Sequence, residues 1–207
     1  MIGKTAIGIT VIFFGLITVI GAAGGATLPP PEMPDRRERS DPRRSPAPKT
    51  SPPEVPEGGT AAGRKAVQAA LRWLGTPYSW GGGGPGGPSR GICCSPGGHD
   101  GRKTVGFDCS GLTEYAWAQA GARIGSTTVP QWRAGPRIHT SDRLRPGDLV
   151  FFGGGSGEPT HVGLYISNGT MVHAPRTGSV VHTVNFSRSG YYTLRYRGAV
   201  RPRTNDR

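Results

Sequence analysis

The chain has 207 residues, with 25 Lys and Arg against 13 Asp and Glu, and 35 Gly, 20 Pro and 3 Cys. That length holds one ordinary domain with appendages, and three cysteines are too few for a disulfide scaffold. The formal net charge of +12 attracts polyanions, but no aromatic-and-basic interleaving of the kind used by single-strand binders is present, so nucleic acid is not an expected partner.

The N-terminus has Lys4 and then no charge until Glu32. Ala6 to Ile20 is apolar all round, which suits a bilayer or translocon better than a protein core. Two readings stand. Residues 1–27 are a signal peptide cut near Gly24-Gly25-Ala26, or an uncut transmembrane anchor. Both predict export, into the cell wall or onto the outer face of the cytoplasmic membrane, with the membrane a partner if the segment stays. Residues 28–60 hold ten of the 20 prolines, and their six basic residues balance six acids. With almost no large apolar side chains, this segment is expected to be a disordered spacer.

From Ala61 onward the net charge is +11. In an exported chain this suits anionic cell-wall polymers, although a basic surface also serves solubility alone. Ala66, Val67, Ala70, Leu71 and Leu74 form a helical stripe over Ala61 to Leu74, ended by Gly75-Thr76-Pro77. After Tyr78-Ser79-Trp80 comes a long glycine-rich loop reaching Gly106. Adjacent Cys93 and Cys94 lie in it. They lack the gap that lets two thiolates share one tetrahedral zinc, and beyond His99 no fourth ligand is evident. Neither metal nor cofactor is expected.

Phe107-Asp108-Cys109-Ser110-Gly111 opens a second helix, running to about Ala120 and closed by Gly121, with Leu112, Tyr115, Ala116 and Ala120 toward the core. A cysteine at a helix N-terminus meets unpaired N–H groups and the positive end of the dipole, which favour the nucleophilic thiolate. Beyond the turn Arg145-Pro146-Gly147-Asp148 the pattern changes to strands: Leu149 to Phe152, His161 to Ile166, Thr170 to Ala174, Val180 to Val184 and Tyr191 to Val200. Helices followed by antiparallel strands make an α+β domain.

The hairpin between the second and third of these strands decides whether His161 and His173 meet. A two-residue Asn168-Gly169 turn with a regular ladder puts them on opposite faces. A three-residue Ser167-Asn168-Gly169 loop pairs Ile166 with Thr170 and brings both to one face, diagonally adjacent. The three-residue form is expected. Cys109 is then the candidate nucleophile, His161 its base and acid, and His173 the group that orients His161. His99, His139 and His182 have no such context and read as surface or loop residues. Asp108 also suits a helix cap, and Tyr78 also suits packing at a helix end.

Gly75-Thr76-Pro77-Tyr78-Ser79-Trp80-Gly81-Gly82, Phe107-Asp108-Cys109-Ser110-Gly111-Leu112, Leu144 to Phe152, His161-Val162-Gly163-Leu164-Tyr165 and Met171-Val172-His173-Ala174 follow in order. Together they resemble the NlpC-type family of papain-like cell-wall peptidases over roughly Ala62 to Val200. The resemblance implies a papain-like fold and a Cys109, His161, His173 triad. It also implies hydrolysis of peptidoglycan stem peptides through a cysteine acyl-enzyme, commonly between D-γ-glutamate and a diamino acid. Tyr78 would lie beside the nucleophile, and Asp108 and Ser110 would help receive the free amine end of the stem peptide. The departure is the insertion at about 84–106, placed to form one wall of the groove. Two rivals remain: a non-catalytic wall-binding or assembly module, and a thioester acyltransferase on the same fold.

Overall fold

The computed structural model describes residues 54–204. The expected signal or anchor at 1–27 and most of the spacer at 28–60 lie outside them. The transmembrane expectation is not borne out: among the described residues no helix is long and apolar enough to cross a membrane.

Helix α1 (Ala61–Leu71) starts at Thr60, whose hydroxyl oxygen accepts from the Gly63 N–H at 2.9 Å. This satisfies one of the orphan donors of the first turn. The helix buries Ala66, Val67, Ala70 and Leu71. It ends before Leu74, because the chain leaves through Gly75 at φ +84° and the Gly75 N–H donates to the carbonyl of Val181. The inserted segment follows, with the two-residue strands β1 (Ser89–Arg90) and β2 (Val105–Gly106) paired antiparallel. Cys93 and Cys94 within it are bonded to each other.

Helix α2 (Cys109–Gln119) buries Leu112, Thr113, Ala116 and Trp117 and ends at Gly121, φ +88°. The remainder comprises α3 (Thr128–Gln131), β3 (Arg137–Ile138), β4 (Leu149–Phe152), β5 (His161–Ser167), β6 (Thr170–His173), β7 (His182–Asn185), α4 (Gly190–Thr193) and β8 (Tyr196–Val200). Six strands form one antiparallel sheet in the order β3-β8-β4-β5-β6-β7. The strand expected over Tyr191 to Val200 is broken by α4. That turn sets the Tyr192 ring against Phe152 at 5.0 Å between centroids. The strand expected from Val180 begins only at His182, since Val181 exchanges backbone bonds with Gly75 and Thr76 instead.

Both faces of the sheet are covered, which is why β4 reads as a continuous apolar run rather than an alternating one. Leu149, Phe151, Val162, Leu164 and Val172 pack with Val67, Leu112 and Trp117 of the helices. Val150, Phe152, Tyr165, Met171, Phe186 and Ala199 form a second cluster. Each large buried side chain contributes roughly 1.5–3 kcal/mol. The buried carboxylate of Asp148 anchors the turn before β4, accepting from the Arg201 guanidinium through both oxygens at 2.8 Å and from the Arg145 N–H.

The β5–β6 hairpin corrects the expected loop and keeps its consequence. Ser167 pairs with Thr170, so Asn168 and Gly169 form a two-residue turn, both with positive φ (46° and 71°). This is the turn geometry that matches the twist of a hairpin. The register then shifts, and Tyr165 faces Met171 while Leu164 faces Val172. Ile166 is the extra residue of a β-bulge. It is buried in the cluster beneath the helices, and that burial fixes where the bulge falls. A short turn plus a bulge thus yields the register of a three-residue loop.

Candidate active site

Cys109 begins α2 under a cap that Asp108 provides. The Asp108 Oδ1 accepts from the Gly111 N–H at 2.7 Å and the Ser110 hydroxyl at 3.0 Å, and Oδ2 accepts from the Gly81 N–H at 3.1 Å. One carboxylate thereby ties the start of α2 to the glycine turn after Trp80. Gly111 is required by the same contact, since a Cβ there would lie 2.3 Å from the carbonyl oxygen of Gly82. Behind the first turn, buried Gln131 donates to the carbonyls of Ser110 (2.8 Å) and Gly125 (2.9 Å) and accepts from the Thr113 hydroxyl. Such a satisfied buried network fixes the helix start.

The two histidines come from the sheet. The Nε2 of His161 lies 2.9 Å from the Nδ1 of His173. His173 is fully buried, and its Nε2 lies 3.3 Å from the Nε2 of His182, whose Nδ1 lies 2.8 Å from the carbonyl of Val180. The Tyr192 ring stacks on His161, and its hydroxyl lies 3.5 Å from the His173 Nδ1.

Tyr78, Asp108, Cys109, Ser110 and His161 all line one cleft of about 980 Å³. His173 lies behind His161, out of the cleft. The insertion supplies Ile92, Ser95, Pro96, Gly97 and His99 to the lining, and Arg176, Tyr191, Tyr192 and Arg195 stand among the other lining residues.

The family model for the NlpC/P60 family matches residues 75–201. The chain belongs to that family. Its NlpC/P60 domain is 42% identical over 132 residues to the peptidoglycan endopeptidase RipA of Mycolicibacterium smegmatis, covering 62% of this chain and 25% of that protein. It is 43% identical over 118 residues to RipB of Mycobacterium tuberculosis, covering 55% and 45%. The chain therefore spans less than half the length of these curated relatives. The solved structure of the peptidoglycan hydrolase RipB from Mycobacterium tuberculosis aligns with a TM-score of 0.56 at 35% identity, over 68% of this chain and 64% of that one. RipD from the same organism, described as a non-catalytic NlpC/p60 domain protein, aligns at 0.55 and 30% identity over 69% and 98%. The α+β, papain-like NlpC/P60 fold is thus the one the sequence predicts.

In this NlpC/P60 domain burial opposes the thiolate that the helix end favours. Burial, and then the charge of Asp108, pushes the Cys109 thiol up to about 12, against the pull of the N–H groups of Val162, Ser110 and Cys109 itself. Burial brings His161 down to about 4. It brings His173 down to about 2, with the neighbouring rings of His161 and His182 adding to the effect. Desolvation disfavours the charged form of each group, thiolate and imidazolium alike. Burial likewise raises the Asp108 carboxyl and the Tyr78 phenol.

His182, which reads from the sequence as a surface or loop residue, instead joins the row of rings behind His161. It lies in a strand the pattern does find, but the 174–181 connection obeys no turn rule that fixes its register. The observed ladder pairs it directly with His173. Gln131 gives no signal at all, since nothing in Pro130-Gln131-Trp132 marks a buried amide.

Proposed function

We propose that this domain hydrolyses peptidoglycan stem peptides with Cys109 as nucleophile, His161 as base and acid, and His173 as the group that orients His161. The observation that carries this is the capped cysteine sharing a cleft with His161, whose far nitrogen is held by His173 at 2.9 Å. Likeness to the peptidoglycan endopeptidases RipA, RipB and p60 supports a peptidoglycan-hydrolase role and is consistent with a cell-wall location. The favoured bond is that between D-γ-glutamate and a diamino acid.

With Nε2 turned to His173, His161 offers Nδ1 to the cleft. It accepts the Cys109 proton as Sγ attacks the scissile carbonyl, so the thiolate exists only at the moment of attack. The imidazolium then protonates the leaving amine, giving a thioester. Water, deprotonated by the same ring, attacks the thioester and releases the acid and the thiol. The backbone N–H of Cys109 is the oxyanion donor in this scheme. Asp108 keeps capacity for the substrate amine: a carboxylate has about four acceptor sites, and the protein fills three. Tyr78 and Ser110 flank it. The net charge of +11 from Ala61 onward favours approach to anionic wall polymers.

The likeness to RipD gives a second reading, a wall-binding module. Digestion of defined muropeptides, read by mass, separates the two. The wild-type chain is expected to release stem-peptide fragments carrying added water, and Cys109→Ala none. Wall binding without release by the wild type would favour the binding module, amine in place of water would indicate acyl transfer, and release by Cys109→Ala would refute the nucleophile.

A further inference from the structure

The hydrogen-bond chain behind His161 does not stop at His173, and its far end determines the tautomer of every ring in it. A carbonyl oxygen only accepts, so the His182 Nδ1, 2.8 Å from the Val180 oxygen, carries the proton. A neutral ring has one N–H, so the His182 Nε2 is an acceptor and receives a hydrogen bond from the His173 Nε2–H across 3.3 Å. The His173 Nδ1 is then an acceptor in turn, and receives the His161 Nε2–H across 2.9 Å. His161 is left with an unprotonated Nδ1, the form a general base requires.

The Val180 carbonyl is itself held in place. Its neighbours bond to the segment carrying Tyr78: the Tyr78 N–H donates to the Ser179 carbonyl at 2.9 Å and the Val181 N–H to the Thr76 carbonyl at 2.8 Å. The rings also meet edge to face, with centroids 4.7 Å apart for His173 and His182 and 5.1 Å for His161 and His173, which restricts their rotation.

We propose that His182 is a positioning residue: anchored by the Val180 carbonyl, it locks His173, and through it His161, in the tautomer that leaves the His161 Nδ1 free for Cys109. Without its acceptor, His173 can carry its proton on Nδ1. That proton would face the His161 Nε2–H and drive His161 to the opposite tautomer, in which Nδ1 accepts nothing. A misplaced tautomer slows catalysis without moving the residues. The effect on turnover rests on the hydrolase reading; the tautomer pattern does not.

The test uses the full chain with 15N-labelled histidine, observed without substrate, alongside muropeptide kinetics. In the wild type the expected pattern is protonated Nε2 on His161 and His173 and protonated Nδ1 on His182. His182→Phe keeps a ring and removes the acceptor. It is expected to mix the tautomers of His161 and His173 and to lower kcat on the order of tenfold to hundredfold, with KM changed less than about twofold. His182→Gln restores an acceptor oxygen and should recover the wild-type pattern and most of kcat. A wild-type His182 protonated on Nε2 would overturn the proposal even if the Phe variant failed to fold. So would a Phe variant with unchanged tautomers, or equal losses in the Phe and Gln variants with unchanged tautomers. A wild-type chain that shows the pattern but cleaves nothing would sink the hydrolase reading and leave the positioning role standing.

Discussion

The two sides of the cleft are built on opposite principles. On the helix side, Cys109 is held by groups that do not change protonation during a reaction: backbone N–H donors, the Gln131 amide and the Thr113 hydroxyl, with Asp108 as a fixed acceptor. On the sheet side, His161 is held by a row of rings, each of which can take or give a proton. In the proposed mechanism, the helix side sets the position of the nucleophile and the sheet side sets where its proton goes. Damage to the first should cost stability and geometry together, and damage to the second should cost rate while the fold persists.

The sharpest contrast is expected from His161→Ala, which removes the proposed base and leaves α2 and its cap untouched. It should lower kcat/KM on the order of 10²–10⁴-fold with a melting temperature close to that of the wild type. A variant that retains most of its activity would break the division, because proton transfer would then not run through the sheet.

A smaller effect tests the other side. Asp108→Ala removes the N-cap and the tie to Gly81, and should destabilise the domain by about 1–2 kcal/mol, read by denaturant unfolding. It should also raise KM for substrates with a free amine end. Unchanged stability with raised KM would mean that the carboxylate serves substrate alone.

The same division explains what could be read in the sequence. The helix side is local: Asp108, Cys109 and Gly111 lie within four residues, so capping, the nucleophile and the glycine contact leave one compact signature. The sheet side is non-local and depends on register. The hairpin sequence predicts the register of a three-residue loop, which is the one that lets His161 and His173 meet, but a bulge at Ile166 supplies it, because Ile166 is buried in a core the hairpin sequence does not reveal. His182 was out of reach for a related reason. Its pairing with His173 is fixed by strand β7, and the start of that strand depends on backbone bonds to the distant segment Gly75 to Tyr78. The insertion was recognised as a groove wall from its place beside Tyr78 and Cys109, but which of its residues face the cleft is a matter of loop conformation.

Burial outweighs the helix end at Cys109, the proposed nucleophile, and pushes its thiol up. Cys109 is the free cysteine of the described domain, Cys93 and Cys94 being bonded to each other, so alkylation by iodoacetamide under non-reducing conditions reports on it. The rate follows the thiolate fraction. It should therefore climb steadily from about pH 5 to 9 without levelling, as expected of a thiol pushed up to about 12 beside a neutral imidazole. A plateau extending down to about pH 5 would reveal a standing thiolate–imidazolium pair and contradict the account.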